Sequence, residues 1–390
     1  MSDFDIIVYG ATGFTGRLVA EYLTEHYGAG SGLSWAMGGR SLSKLQEVRD
    51  EIGAPADIPL VTANADDPAS LRAMASRARV VITTVGPYQL CGSDLVAACA
   101  ATGTGYVDLC GEPAWMRHMI DAHHEAAKAS GARIVFSCGF DSIPFDLGVW
   151  TLQEAAKVKF GKPAPRVKGR VRSMKGTFSG GTFASGKATA IAAAKDPSIL
   201  KLLIDPFALT PGFEGPPQPK GLMPEYDDAV GAWVAPFIMA AINTKNVHRT
   251  NALLGHAYGA DFRYDEMMVA PGLGEIGQAA AEAMAKFNPM AGDDGPKPGE
   301  GPSKHERDTG HYDLLFIGEM PDGQRIEATV TGDRDPGYGS TSKMIAESAI
   351  CLIRDVKGAG GIWTAGGLMA APLKKRLEEK AGLTFTVSGG

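Results

Sequence analysis

Gly10, Gly13 and Gly16, in the run Gly10–Ala11–Thr12–Gly13–Phe14–Thr15–Gly16, can do chemistry without side chains. Where a strand turns into a helix, the first glycine permits the sharp turn. The second lets the backbone approach a pyrophosphate, and the third lets helix pack on strand. The helix would present free amides and its positive dipole end to the phosphates. Thr12, Phe14 and Thr15 belong to the same corner. The spacing is GxxGxxG, not GxGxxG, and is the one common in NADP-linked proteins.

After the next apolar run the chain reads Met37–Gly38–Gly39–Arg40–Ser41. A site for NAD usually carries Asp or Glu here to bind the ribose hydroxyls. No acid is present. Arg40 can stack on adenine and pair with a 2′-phosphate, with Ser41 and Lys44 beside it. NADP(H) is therefore expected ahead of NAD; the alternative makes Arg40 a solvated charge. Asn64, Asp66 and Asp67 follow the third strand and either flank adenine or serve the loop and the next helix cap. Val85, Gly86 and Pro87 follow the fourth, where a glycine lets the chain pass close to a ribose. Asp108, Gly111 and Glu112 end the fifth. The two acids lie near the nicotinamide or cap the following helix.

Hydride transfer also needs a proton donor or an electrostatic clamp. Three candidates stand out: Tyr88, Asp141 and Lys187. Tyr88 is either a donor or a packed aromatic. Asp141 and Ser142 either orient substrate or cap the helix that Pro144 opens, and Cys138 beside them reads as a buried apolar thiol. Lys187 sits just inside a helix opened by 179–186, where Gly180, Gly181, Thr182 and Ser185 make either a second anion-binding terminus or a plain cap. Asn243, Arg249 and Asn251 follow an apolar stretch, 229–242, that suits a lipid-like substrate or an ordinary amphipathic segment. Tyr338, Ser340 and Thr341 contact ligand or cap a helix. The histidines show no ligand spacing, so no metal site is expected.

The elements that must hold these groups alternate over the first third of the chain. Apolar runs at 4–9, 34–37, 59–63, 79–85, 106–109 and 133–138 are separated by helical patterns. Continuously apolar strands between helices mean a parallel sheet covered on both faces, a Rossmann-type α/β domain over residues 1–145. Residues 146–355 read as an α+β substrate or dimerisation domain on a mixed or antiparallel sheet. It contains a hairpin at 312–331 about Asp322–Gly323 and a helix at 340–354. The Pro- and Gly-rich stretches 205–226 and 288–310 read as long loops, the second as mobile. Residues 356–390 form a C-terminal segment that can pack back on the first domain.

The chain has 390 residues, too many for one typical domain, and a net charge of −6, which argues against a nucleic-acid partner. Its five cysteines, an odd number with no CxxC, suit free thiols in a reducing cytoplasm. The start lacks a basic n-region, and no apolar run is long enough to span a membrane. Peripheral membrane contact by 229–242 and a homodimer through the second sheet stay open.

Together the motifs GATGFTG (10–16), GGRSLSKL (38–45), TTVGPYQLCG (83–92), YVDLCGE (106–112) and CGFDSIPFDLG (138–148) resemble the saccharopine dehydrogenase-like oxidoreductases, in particular the bacterial trans-acting enoyl reductase branch. SGGTFASG (179–186), PFIMAAINTKNVHRTNALL (236–254) and DPGYGSTSKM (335–344) extend the resemblance over nearly the whole chain. It implies NAD(P)-linked redox chemistry and, for that branch, saturation of a double bond in a lipid or polyketide-derived intermediate. Two alternatives remain: a saccharopine-type dehydrogenase acting on an amino-acid conjugate, and a non-catalytic NADP(H)-binding, lipid-associated protein.

Overall fold

The computed structural model describes residues 2–28, 30–287, 296–297 and 299–389. Its first sheet is parallel and contains β1 (Phe4–Tyr9), β2 (Trp35–Gly39), β3 (Leu60–Thr62), β4 (Ala78–Thr83), β5 (Gly105–Val107) and β6 (Arg133–Val135). Ile6, Ile7 and Val8 are fully buried, as a central strand covered on both faces requires. Helices between strands open on legible signals. Asp67 accepts from the amides of Ala69 (3.0 Å) and Ser70 (3.3 Å), and Pro68 takes the first helical position.

The remaining strands are β7 (Arg166–Lys175), β8 (Glu225–Asp227), β9 (Ala232–Pro236), β10 (Arg263–Val269), β11 (His311–Glu319), β12 (Arg325–Gly332), β13 (Gly361–Trp363) and β14 (Leu383–Ser388). The first sheet runs β13-β6-β5-β4-β1-β2-β3, and the second β14-β12-β11-β7-β10-β9-β8. The second is mixed: β7 and β10 are parallel, whereas β11 and β12 form the expected antiparallel hairpin. One of its faces packs on helix Ile143–Phe160. The other carries Arg166, Lys168, Arg170 and Arg172 of β7, held by Asp227, Asp265 and Asp313. Arg170 is buried and bonds Asp227 at 2.7 Å and Asp265 at 2.9 Å.

The chain stitches the two sheets together. Helix Thr341–Arg354, which follows the second sheet, covers β4 and β5 and packs on helix Phe14–His26. Its buried Glu347 accepts from the hydroxyls of Tyr22 (2.7 Å) and Tyr27 (2.6 Å) and from Arg376 (2.9 Å). Beyond residue 355, β13 joins the first sheet beside β6, and β14 joins the second beside β12. Between them runs helix Ala365–Lys380, whose Gly366 amide donates to Asp146 at 2.7 Å.

The structure departs from the sequence pattern in several places. The apolar stretch 229–242 divides between β9 and the first turn of helix Ala240–Leu253. Helices Pro197–Ile204, Gly274–Lys286 and Ala365–Lys380 and strands β10, β13 and β14 had no clear signal. Part of the loop expected at 288–310 lies outside the described residues. Within the rest, Lys304–Thr309 is a short helix with a Ser303–Glu306 capping box. Among the described residues no helix is long and apolar enough to cross a membrane.

Candidate active site

The strand order reverses between β1 and β4, so a crevice opens beyond their carboxyl ends. The three glycines meet there with different constraints. Gly10 has φ +90°, and a Cβ on it would lie 2.8 Å from Thr84 Oγ1 and Val85 Cγ2. A Cβ on Gly16 would lie 2.1 Å from the Gly10 carbonyl oxygen, so chain packing alone requires these two. Gly13 differs: its nearest neighbour would be the Gly10 oxygen at 3.3 Å, and the crevice lies beyond. Thr12 and Gly13 are exposed, and Phe14 and Thr15 half-buried. No side chain caps the helix they open, and its first turn holds no acid. The leading amides are thus available to an anion.

Past β2, Arg40 is exposed, with no ion-pair partner among the described residues. Its charge and that of exposed Asp66 both reach Tyr9 and Cys91, so the two lie near the carboxyl ends of β1 and β4. Lys44 is exposed nearby. The Ser41 hydroxyl accepts from the Lys44 amide at 3.4 Å and caps helix Leu42–Glu51. Asn64 accepts from the Asp66 amide at 3.4 Å. Val85, Gly86 and Pro87 leave β4 along the crevice wall, with Gly86 exposed. Ser185 of helix Gly180–Lys195 comes to 3.7 Å from where a Gly86 Cβ would stand, and Gln89 donates to Thr189 at 3.1 Å. This helix therefore roofs the crevice. Lys187 is exposed on it.

Several expected site residues are turned inward. Tyr88 is buried, donates to the Thr83 carbonyl (3.3 Å), accepts from the Leu109 amide (3.1 Å), and packs on Trp115. Burial and the Asp108 carboxyl push its phenol well above the ordinary range. That is the packed-aromatic arrangement, not a donor facing the crevice. Asp108 neither faces the nicotinamide end nor caps a helix. It is fully buried and accepts from Tyr106 Oη (2.9 Å) and the amides of Cys110 (3.0 Å) and Ser137 (2.8 Å). It thereby ties β5 to the segment after β6. Glu112 caps backwards, taking the amides of Tyr88 (2.9 Å) and Gln89 (2.8 Å). The terminus at Ser179 and Gly180 is largely satisfied by protein: the Ser179 amide donates to Tyr338 Oη, and that of Gly180 to the Glu300 carbonyl. Arg249 is buried on the carbonyls of Leu209 and Ile362, and Asn251 brackets Gly259 and Tyr258. Thr341 accepts from the Phe140 amide and donates to the Pro336 carbonyl.

Asp141 is different. It is half-buried and has no hydrogen-bond partner among the described residues, and its Oδ2 lies 3.8 Å from where a Gly111 Cβ would stand. It does not cap the following helix: Ser142 holds the cap position, and its hydroxyl accepts from Asn246 Nδ2 at 2.8 Å. Burial pushes the Asp141 carboxyl up to about 7. Phe14, edge-on to Tyr338 at 5.2 Å, joins the glycine corner to the wall carrying Thr182. Sequence reasoning missed Glu266 of β10. It is buried, accepts from Tyr264 Oη (2.8 Å) and Asn243 Nδ2 (2.9 Å), and is pushed up by burial to about 8. The only signal was an acid in the middle of a half-apolar run, Tyr264–Asp265–Glu266–Met267.

Comparison with known proteins bears on this geometry. Residues 6–135 match the family described as the saccharopine dehydrogenase NADP binding domain. The chain is 42% identical to a protein of Mycobacterium tuberculosis named as a trans-acting enoyl reductase, covering 96% of this chain and 95% of that one. It is 36% identical to a trans-acting enoyl reductase of Mycobacterium leprae over 96% of both chains. Among solved structures, the apo saccharopine dehydrogenase (L-Glu forming) of Saccharomyces cerevisiae shares the fold, with a TM-score of 0.55 at 12% identity over 99% of this chain and 100% of that one. An NADP-binding domain of that description, relatives so similar over their full length and the shared two-sheet architecture agree: the chain is an oxidoreductase that belongs to the trans-acting enoyl reductase family, on a saccharopine dehydrogenase-like fold.

Proposed function

We propose that this oxidoreductase uses NADPH to saturate the carbon–carbon double bond of an enoyl substrate, an acyl chain of lipid or polyketide type. The observation that carries the cofactor choice is exposed Arg40, without an acidic partner among the described residues, at a strand end that offers no carboxylate to a ribose. The amides of the Gly13 corner would hold the diphosphate, Arg40 and Lys44 the additional phosphate, and Val85–Gly86–Pro87 the ribose nearer the reaction. Bound there, NADPH supplies the hydride for the carbon distal to the carbonyl. The enoyl substrate is supported by the names of the full-length relatives. It is also supported by Asp141, a carboxyl without a hydrogen-bond partner among the described residues that burial pushes up to about 7. Asp141 gives its proton to the carbon next to the carbonyl, and helix Gly180–Lys195 keeps water from the reacting atoms.

Intrinsic fluorescence titration tests the cofactor assignment. Arg40→Ala should weaken NADPH about 10- to 100-fold, or about 1.4–2.7 kcal/mol, and leave NADH unchanged. Equal losses for both cofactors would remove the assignment. Oxidation of NADPH by a crotonyl thioester, and not by saccharopine's reverse substrates, tests the reaction.

A further inference from the structure

A polar track runs from the Asp141 loop into the second sheet, and the glycine corner makes no use of it. Asn246 reaches Ser142 at 2.8 Å. Asn243, one turn earlier on helix Ala240–Leu253, reaches Glu266 Oε2 at 2.9 Å. Tyr264 donates to the other oxygen at 2.8 Å. Ser142, Asn243, Asn246, Tyr264 and Glu266 are all at least nine-tenths buried. β7 makes room for the pair: a Cβ on Gly169 would lie 2.9 Å from Tyr264 Oη and 3.1 Å from Glu266 Cγ.

Alternation along the strands sends Asp265 and Arg170 to the opposite face of the sheet, where they bond each other. The groups that face Glu266 are therefore Tyr264 from its own strand and Asn243 from the helix; the charge of Asp265, from the other side of the sheet, and that of Asp141, across the track, both reach it and raise it. β7 contributes only Gly169, and no cation bonds Glu266 among the described residues. Burial holds both carboxyls high, Glu266 at about 8 and Asp141 at about 7, so protons are stored there at neutral pH.

Two atoms of the track are left over. Oδ1 of Asn243 and Oδ1 of Asn246 are buried without a donor among the described residues. An orphaned buried acceptor costs about 1–3 kcal/mol, and a water molecule both satisfies it and passes a proton onward.

We infer that Glu266 is a positioning residue for proton delivery: it re-protonates Asp141 through water held by Asn243 and Asn246. The inference rests on the reading of Asp141 as donor. The balance is simple. As the cofactor's hydride fills the distal carbon, the π electrons of the double bond move to the carbon next to the carbonyl. The Asp141 O–H bond breaks and a C–H bond forms there. The Asp141 carboxylate takes a proton from a water of the track, that water takes one from the Glu266 carboxyl, and Glu266 recovers its proton from solvent after product leaves.

Two readouts test this on the full chain with Asp141→Asn, Glu266→Gln and Asn246→Ala. The first needs no cofactor: difference infrared spectra of protonated carboxyl C=O bands between pH 6 and 9. Glu266→Gln should remove one band and leave the titration of the Asp141 band near its place, and Asp141→Asn should keep the Glu266 band and move its titration to lower pH. The second is turnover of crotonyl-N-acetylcysteamine with NADPH. Asp141→Asn should lower kcat at least about 100-fold. Glu266→Gln and Asn246→Ala should each lower it about tenfold, with KM and NADPH affinity nearly unchanged, a displaced alkaline limb of the pH profile and a larger solvent deuterium isotope effect. If Asp141→Asn is crippled while the other two keep the wild-type kcat and pH profile, the track is only architecture and Asp141 keeps its role. If Asp141→Asn turns over normally, both readings fall. Should Glu266→Gln not fold, Asn246→Ala decides by kinetics, and a Glu266 band missing from Asp141→Asn overturns the relay.

Discussion

Gly13 and Gly16 look alike in sequence, yet the structure assigns them opposite sensitivities. Gly13 has φ −83° and ψ 167°, a conformation open to any residue, and its virtual Cβ is 3.3 Å from a single carbonyl oxygen. Gly13→Ala therefore asks one neighbour to give by a few tenths of an ångström, and the melting temperature should hold within about one degree. Its methyl, however, enters the space beside the helix amides. A pyrophosphate there must retreat, and NADPH affinity should fall about 10- to 100-fold, the equivalent of about 1.4–2.7 kcal/mol. Gly16→Ala puts a methyl 2.1 Å from the Gly10 oxygen and 2.6 Å from its carbonyl carbon, both backbone atoms. Restoring ordinary contact at 3.4 Å means parting helix and loop by 3.4 − 2.1 = 1.3 Å. Overpacking of that kind costs about 1–3 kcal/mol, which lowers the melting temperature by several degrees. Calorimetry and fluorescence titration on the two variants, side by side, make the assay. A Gly13→Ala protein that melts and binds NADPH as the parent does would refute the placement of the phosphates. A Gly16→Ala protein as stable as the parent would refute the packing argument.

Other outcomes follow from buried charge. Burial raises Asp108, Asp141 and Asp146 to about 7 and Glu266 to about 8. A carboxyl with a raised folded pKa stabilises fully below its unfolded value and loses that contribution as pH climbs through the folded value. Stability to urea should thus decline from about pH 4 to about pH 8, most steeply between about pH 5 and 7, by up to about 1.4 kcal/mol per proton released per pH unit; a flat or rising profile contradicts it. Glu347→Ala takes the carboxylate acceptor from two tyrosine hydroxyls and one of two carboxylates from Arg376, which keeps Asp355, and should cost about 1–3 kcal/mol in denaturant unfolding; no measurable loss would mean the cluster contributes little. Replacing Asp227, which Lys168 and Arg170 hold down at about 2, with Asn should destabilise at pH 7 and much less at pH 2, measured by thermal melts at the two pH values.

The glycine corner and the six alternating strands were legible because parallel strands are apolar on both faces and their helices announce themselves by caps such as Asp67–Pro68. Arg40 is exposed, as a charge at the end of a strand without a neighbouring acid should be. What sequence could not give was direction in three dimensions. Tyr88 follows a strand end, as a donor should, yet the carbonyl of Thr83 and the amide of Leu109 draw its hydroxyl inward. Glu112 precedes a helix, yet it bonds amides 23 and 24 residues earlier. β10 hid because Asp265 and Glu266 interrupt its apolar pattern, and their partners, Arg170 and Asn243, are distant in sequence.

The last 35 residues carry a consequence for motion. Because β13 borders one sheet and β14 the other, a protein shortened at residue 355 would bare a raw strand edge on each half at once. Neither half is a free lobe, and the molecule should melt as one body rather than swing about a hinge. If any part opens to admit a ligand, it is the piece outside the stitching, the lightly anchored roof of helices Gly180–Lys195 and Pro197–Ile204, whose one buried residue is Gly180.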